Sequence, residues 1–146
     1  MKTVREILES KSDPAIQTIT PSASVFEAVK LMAGKNIGAL VVMEDEKVLG
    51  IITERDYARK IILMGRSSKE TSVREIMTSQ VICARPDQTN EECMELMTDK
   101  RVRHLPVVDR SRLIGLVSIG DLVKDIISEQ KQTIHHLERY VMGERG

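Results

Sequence analysis

The sequence predicts a mixed α/β (α+β) fold made of two similar repeats, and three observations lead to this prediction. Residues 65 positions apart match without a gap, as in the pairs Pro21 and Pro86, Gly50 and Gly115, and Asp56 and Asp121. Runs of apolar residues alternate between strand-like and helix-like spacing in the same order in both copies. Both copies close on Gly, two apolar residues, Thr or Ser, two further residues and Asp. Such a duplication predicts two stacked supersecondary units related by a pseudo-twofold axis, with small sheets packed against helices.

The first copy is predicted as strand, helix, strand, strand and helix. Its elements are a strand over Ile16–Thr20, a helix capped by Ser24 that runs to Lys35, a strand over Ala39–Met43, a strand over Val48–Ile52 and a helix over Tyr57–Met64. The helix has apolar residues on one face and a hydroxyl cap. The continuous apolar run from Ala39 is typical of a buried strand, and the polar residues after it predict a hairpin turn.

The second copy repeats this order. Its predicted elements are a strand over Val81–Arg85, a helix over Thr89–Lys100, strands over Leu105–Val108 and Leu113–Val117, and a helix from Asp121. A short lead-in precedes each copy, and these two segments, 3–8 and 72–77, align at an offset of 69. The sequence therefore divides into repeat 1 (1–70), repeat 2 (71–128) and a helical tail (129–146). The helical spacing in the tail predicts a helix that packs on its own domain, in preference to one that docks on a partner.

Composition excludes several classes of function. Lys plus Arg equals Asp plus Glu, at 22 each, so no overall field selects nucleic acid or a membrane. Aromatic residues make up 2% of the chain, which argues against base-stacking surfaces. The two cysteines form no CxxC pair, so reduced thiols are expected. With no signal-like segment and no apolar run long enough to span a bilayer, a cytoplasmic protein is predicted.

The chain also has no recognisable catalytic machinery. No GxSxG motif, Cys–His arrangement, metal-ligand cluster or complete P-loop occurs in it. The absence of GxGxxG excludes only the usual Rossmann mode of dinucleotide binding. We therefore predict a protein that is not an enzyme and has no catalytic cofactor and no metal site.

The closing phrases, Thr53–Asp56 and Ser118–Asp121, permit two interpretations. A hydroxyl residue followed three positions later by an acid is a helix capping box, and four other pairs share that spacing: Thr3 and Glu6, Ser24 and Glu27, Ser72 and Glu75, and Thr89 and Glu92. In the closing phrases, however, the acid is Asp and the hydroxyl directly follows a strand. A helix start there can hold phosphate, and an Asp, which is shorter and less able to reach back to the cap, leaves a carboxylate suited to accept both hydroxyls of a ribose. Both interpretations, a plain helix cap and a nucleotide-binding site, stay open.

The duplicated order with its closing phrases resembles a tandem cystathionine-β-synthase (CBS) domain pair, also called a Bateman module. The run Arg101–Asp109 is similar to the family's second-strand signature, in which a basic residue, His and Pro lead into an apolar strand. The resemblance covers residues 1 to about 128, and no catalytic or membrane domain accompanies it, as in stand-alone CBS-pair proteins.

The resemblance implies that adenosine nucleotides (AMP, ADP, ATP or NAD(H)) bind in clefts between the repeats. The closing Asp would hold the ribose, the Thr or Ser would contact phosphate, and the strand starts would line the adenine. One implied site comprises Thr18, Ile37, Gly38, Ala39, Thr53, Arg55 and Asp56, with Arg55 on a phosphate. The other comprises Cys83, Val102, Arg103, His104, Ser118 and Asp121, with His104 on the base.

The same resemblance implies a homodimer and a regulatory role. The predicted function is that of a non-catalytic sensor that binds an adenine nucleotide and signals to an unidentified protein partner, without contact to nucleic acid or membrane. The alternative is a structural or protein-interaction module whose clefts are vestigial.

Overall fold

The predicted duplication is confirmed in a computed structural model that describes residues 2–11 and 15–143 of the chain. The first half contains α1 (Val4–Glu9), β1 (Thr18–Ile19), α2 (Val25–Lys35), β2 (Ala39–Glu44), β3 (Lys47–Thr53) and α3 (Glu54–Tyr57), which continues into a π-helical segment (Ala58–Ile62). The second half contains α4 (Val73–Ile76), α5 (Asn90–Lys100), β4 (His104–Asp109), β5 (Arg112–Ser118) and α6 (Ile119–Gly143). Small sheets pack against helices in both halves, as the sequence predicts.

Each repeat is organised around an antiparallel hairpin. In β2–β3, Val42 lies opposite Gly50, and in β4–β5 the equivalent Val107 lies opposite Gly115. Both hairpins turn through two polar residues with positive φ, namely 52° and 64° at Asp45 and Glu46 and 51° and 67° at Arg110 and Ser111. A two-residue turn of this kind matches the twist of the strands that it joins. Both copies use the same kind of turn, so the 65-residue repeat is also present in the three-dimensional structure.

The predicted strand over Val81–Arg85 does not form. It is reduced to one parallel bridge between Ala84 and Val107, whereas in the first repeat β1 pairs with β2 over two residues. Ala84 donates its N–H to the carbonyl of Pro106 at 2.8 Å and accepts from Val108 at 3.0 Å. The ladder stops there because Pro106 has no N–H to offer, and Pro86 follows almost immediately in the chain.

The two long helices inside the repeats begin and end almost where the sequence predicts. Ser24 and Thr89 cap α2 and α5 through their side chains. Both helices end on a left-handed residue, Asn36 and Arg101, each with φ of 55°. These C-caps turn the chain sharply into β2 and β4, which brings both strand starts to the seam between the repeats.

The lead-in helices are exchanged between the repeats. Helix α1, at the start of the chain, contributes Val4 and Ile7 to the core of the second repeat. Helix α4, which precedes the second repeat, contributes Val73 and Ile76 to the core of the first repeat. Backbone hydrogen bonds fix the exchange: the N–H of Val4 donates to the carbonyl of Gln88 at 2.8 Å, and the N–H of Val73 donates to that of Ala23 at 2.8 Å. The cores therefore do not follow a division of the chain at residues 70 and 71.

Helix α6 continues through most of the predicted tail without a break. Apolar residues on its last turns are largely exposed: Ile134 is 56% exposed, Leu137 57% and Val141 51%. The prediction that the tail packs on its own domain is therefore wrong for the residues that the structure describes. No Gly or Pro lies between Gly120 and Gly143 to kink the helix. Among the described residues, no helix is long and apolar enough to cross a membrane.

Candidate functional site

Two clefts lie at the seam, and each is formed by both repeats. Cleft A has a volume of about 370 Å³, and the closing phrase of the first repeat, residues 53–56, lies there with residues 78, 80–82 and 101–104 of the second half. Cleft B has a volume of about 780 Å³, and Ser118 and Asp121 of the second repeat lie there with residues 15–17 and 35–39 of the first half. Both volumes suit a small organic ligand.

Most of the predicted site residues share a cleft with residues of the other repeat, and Gly38 and His104 line both clefts. Thr53, Arg55 and Asp56 share cleft A with Val102, Arg103 and His104. Ser118 and Asp121 share cleft B with Ile37, Gly38 and Ala39. The implied grouping of strand starts with the closing phrase of their own repeat holds for Gly38 and His104, whereas Ile37, Ala39, Val102 and Arg103 line the cleft of the opposite closing phrase. The starts of β2 and β4 meet at the seam, so each of them faces the closing phrase of the opposite repeat.

Two predicted residues, Thr18 and Cys83, line neither cleft. The residues just before them in the chain line the clefts instead. Ile16 and Gln17 line cleft B, and Gln80, Val81 and Ile82 line cleft A. The family pattern gave the right segments, but the residues of these segments that line the clefts lie one to three positions earlier in the chain than Thr18 and Cys83.

Asp56 is buried and holds the start of α3. Its Oδ2 accepts from the backbone N–H of Thr53 at 3.0 Å and from the Thr53 hydroxyl at 3.1 Å. The N–H of Asp56 donates back to that hydroxyl oxygen at 3.2 Å. The expectation that the shorter Asp is less able to reach the cap is therefore wrong at this position, because the extended backbone of Thr53 brings its N–H within range of the Asp56 side chain. The second oxygen, Oδ1, lies 3.2 Å from Lys60 Nζ and 3.4 Å from the Thr78 hydroxyl.

Asp121 repeats this arrangement with a different cation. Its Oδ2 accepts from the N–H of Ser118 at 2.9 Å, and its own N–H donates to the Ser118 hydroxyl at 3.1 Å. Lys11, from the segment after α1, reaches Oδ2 at 3.0 Å and also donates to the carbonyl of Leu116 at 2.9 Å. A ligand hydroxyl at Asp121 would share this carboxylate with Lys11, whereas one at Asp56 would share it with Lys60.

His104 lies between the two clefts and lines both of them. Burial lowers the pKa of its imidazole below the ordinary value, and the nearby Asp121 carboxylate only partly opposes this effect. A neutral imidazole offers one N–H donor and one acceptor nitrogen. His104 is therefore able to hydrogen-bond a heteroaromatic base from either side of the seam.

The clefts offer recognition groups rather than reactive ones. Asp, Thr and Ser supply hydrogen-bond acceptors and donors, and Arg55 holds its position by donating from Nη1 to the carbonyl of Arg101 at 3.3 Å. Within residues 2–11 and 15–143, no group of three His, Cys, Asp or Glu side chains is arranged to hold a metal ion. This set of side chains can bind a ligand that carries hydroxyl groups and negative charge.

Comparison with known proteins agrees with the duplicated architecture. The profile of the CBS domain family matches residues 4–63 and 73–128. The chain is 42% identical over 149 residues to the mitochondrial CBS domain-containing protein CBSX3 of Arabidopsis thaliana, covering 97% of this chain and 72% of that protein. That relative is named for its CBS domains alone.

Solved structures show the same fold. A putative signal-transduction protein with CBS domains from Burkholderia ambifaria has 54% identity and a TM-score of 0.85, over 88% of this chain and 96% of that one. The CBS domain pair of protein MJ0100, in complex with 5′-methylthioadenosine and S-adenosyl-L-methionine, has 29% identity and a TM-score of 0.77, over 88% of this chain and 98% of that one. With two family matches, two repeats and two clefts at their seam, the chain belongs to the CBS domain family and carries these domains as a tandem pair.

Proposed function

We propose that this protein is a non-catalytic regulator that binds adenosine nucleotides in clefts A and B and signals their presence to a partner protein. One observation supports this function above all: in each cleft, the closing Asp and hydroxyl of one repeat face strand-start residues of the other repeat. A carboxylate suits the two hydroxyls of a ribose, and the cationic side chains nearby suit phosphate. The MJ0100 pair holds two ligands that have an adenosine group in common.

A signal follows from the position of the clefts. A ligand that contacts both repeats stabilises the relative orientation of the repeats in which those contacts are best. A partner that binds this orientation more tightly then responds to the nucleotide, and the coupling works equally in the opposite direction. The nucleotides that fit the proposal are AMP, ADP, ATP and NAD(H).

Substitution of each closing Asp by Asn tests the ligand assignment. Asn keeps one oxygen acceptor for the cap but removes the charge and half of the acceptor capacity that a ribose diol needs. Calorimetric titration with AMP, ADP, ATP and NADH is expected to show binding to the wild type. We expect binding at one cleft to weaken about tenfold or more in Asp56→Asn and at the other in Asp121→Asn.

Glu92→Gln is the matched control, because Glu92 closes a capping box on α5 and lines neither cleft. It is expected to bind every nucleotide as the wild type does. A saturating ligand at 100 times its dissociation constant stabilises a protein by about 2.7 kcal/mol, which a thermal-shift measurement detects. No shift with any of the four nucleotides would overturn the proposed function and would favour an interaction module with unused clefts.

A homodimer is also part of the proposal, and the exposed face of α6 supports it. Ile127, Ile134, Leu137 and Val141 are all about half exposed. Their spacing of seven, three and four positions places them along one face of the helix, as in helices that pair with another helix. An exposed apolar face of this kind on a long helix is typical of a protein interface.

The double variant Ile134→Glu/Leu137→Glu tests this interface by sedimentation velocity. We expect dimers for the wild type and monomers for the variant. Gln132→Glu/His136→Glu introduces acidic residues on the opposite side of the same helix and is expected to remain dimeric. A monomeric wild type at micromolar concentration would contradict the homodimer.

A further inference from the structure

The two clefts differ in how their cationic side chains are paired and in how many of those side chains are arginine. Four arginines line cleft A: Arg55, Arg59, Arg101 and Arg103. The acids in the same lining are Glu54 and Asp56, and the Asp56 carboxylate is already engaged by Lys60 at 3.2 Å. Among the described residues, one arginine, Arg5, lines cleft B, and Gly120 stands at the position of Arg55 in the helix that follows Ser118.

The guanidinium groups of cleft A have no carboxylate partners. Among the described residues, none of the four lies within 4.0 Å of an Asp or Glu oxygen. Other arginines do have such partners: Arg5, which lines cleft B, lies 3.2 Å from Asp109, and Arg66 lies 2.7 Å from Glu75. Several like charges around one concave surface raise its positive potential and attract anions.

The cations of cleft B are neutralised to a larger extent. Lys11 is paired with Asp121 at 3.0 Å, and Lys2 with Asp125 at 3.3 Å. Lysine also presents a point charge, whereas the planar guanidinium of arginine binds two phosphate oxygens at once. Arg5 of cleft B is also paired, with Asp109, so that Lys35 and Lys124 are the cations of its lining without an ion pair among the described residues. All four arginines of cleft A are unpaired, so cleft A offers both more unpaired positive charge and the side chain better suited to phosphate.

The four arginines are placed to contact an extended anion rather than a compact one. Arg55 and Arg59 are four residues apart in the continuous helical stretch that starts at Glu54, so they lie along one side of it. Arg101 and Arg103 approach from the second repeat, and Arg55 reaches that segment through the carbonyl of Arg101 at 3.3 Å. An anion between these two segments would be contacted by both repeats.

We propose that cleft A is specific for ligands that carry two or more linked phosphates, whereas cleft B accepts ligands with one phosphate or none. This inference rests on the proposed function for the adenosine part of the ligand, with its ribose at Asp56. A single phosphate beside Arg55 satisfies part of the arginine set, and a di- or triphosphate chain reaches the remaining groups. The two clefts then report different chemical species to the same partner.

The double variant Arg59→Gln/Arg101→Gln tests this selectivity. Calorimetric titrations of the full chain with adenosine, AMP, ADP, ATP and sodium tripolyphosphate, without divalent cations, compare it with the wild type. In the wild type we expect ATP to bind one cleft about tenfold or more tightly than AMP does, with a steep dependence on salt. The double variant is expected to lose that advantage and to keep its affinity for AMP at the other cleft.

Arg110→Gln/Arg112→Gln is the matched control, because it removes the same charge from the exposed β4–β5 turn, away from both clefts. Equal affinities for AMP and ATP at both clefts of the wild type, unchanged in the double variant, would overturn the inference and leave the proposed function intact. Binding of tripolyphosphate that the double variant loses, with no binding of any adenosine compound, would support the polyphosphate site and overturn the nucleotide function.

Discussion

Gly38 and His104 face each other in the wall between cleft A and cleft B. A Cβ atom on Gly38 would lie 3.6 Å from both Cε1 and Nε2 of His104, and both residues line both clefts. One residue comes from the start of β2 and the other from the start of β4. The imidazole is therefore shared by two sites that would otherwise be independent, and a ligand that moves it from one side changes the wall of the other cleft.

The shared imidazole predicts a pH dependence of stability. Burial keeps the pKa of His104 in the folded protein below its ordinary value of 6.5. As the pH falls through that value, the unfolded chain takes up a proton at this position before the folded chain does. Stability is therefore lost as the pH falls below about 6.5. Thermal unfolding of His104→Gln is expected to be less sensitive to acid than that of the wild type.

His135→Gln provides the control for this prediction. His135 is exposed on α6, so its replacement is expected to leave the pH dependence unchanged. Identical acid sensitivity in the wild type, His104→Gln and His135→Gln would show that His104 does not contribute.

Two glycines are expected to respond oppositely to replacement by Ala. A Cβ on Gly50 would come 2.7 Å from the carbonyl oxygen of Thr78, which is held in place because it accepts from the N–H of Ile51 at 3.0 Å. Gly50→Ala is therefore expected to lower the free energy of unfolding by about 1–3 kcal/mol. Gly34 lies inside α2 with open space around its Cβ position, so Gly34→Ala is expected to raise it by about 0.5–1 kcal/mol. Urea denaturation of both variants gives the sign, and a loss of stability in Gly34→Ala would contradict the prediction.

The duplicated core could be predicted because its helices and hairpins are determined by residues that lie close together in the sequence. The caps at Ser24 and Thr89 and the hairpins are set by residues close in the chain, and the structure agrees with them. The missing strand at Val81–Arg85 depends on Pro106 in another segment, where the lost N–H matters only after the two segments meet. Local spacing does not contain that information.

The arrangement of the clefts could be predicted only in part. The residues of the closing phrases and of the strand starts at 37–39 and 102–104 do line clefts, yet most of the strand-start residues beside each closing phrase come from the other repeat. That pairing is decided by how the two hairpins approach each other, which is a property of long-range packing. The expected reach of Asp56 was wrong for a related reason, because it depends on the backbone angles of Thr53 rather than on side-chain length alone.

A buried polar contact between α5 and α6 is expected to be important for stability. The amide of Asn90 donates to the carbonyl of Leu122 at 3.0 Å and to Asp125 Oδ2 at 2.9 Å, and both side chains are buried. Asn90→Ala leaves the Asp125 carboxylate with one partner fewer in a buried place, so we expect a loss of about 2 kcal/mol. Glu91→Ala, at the next position, is the control and is expected to change stability by less than about 0.5 kcal/mol. Equal effects in chemical denaturation would contradict the role of Asn90.

Removal of the end of α6 is expected to prevent association while leaving the free energy of unfolding nearly unchanged. All described side chains from Lys131 to Met142 are exposed, so a chain that ends at Gln130 loses few contacts within its own domain. At low protein concentration, its free energy of unfolding is expected to stay within about 0.5 kcal/mol of the wild type. A large decrease that does not depend on protein concentration would show that the tail stabilises the domain directly.

The exchange of the lead-in helices has a consequence for how the protein is made. Helix α1 precedes the other described elements in the chain and leaves the ribosome before them, but its apolar residues Val4 and Ile7 belong to the core of the second repeat. Its backbone partner, Gln88, is synthesised much later. During translation, therefore, the first repeat cannot bury α1, and its own core lacks α4 until Val73 and Ile76 emerge. The nascent chain reaches a closed core only when both halves are present, which makes the pair a single unit of biosynthesis as well as of folding.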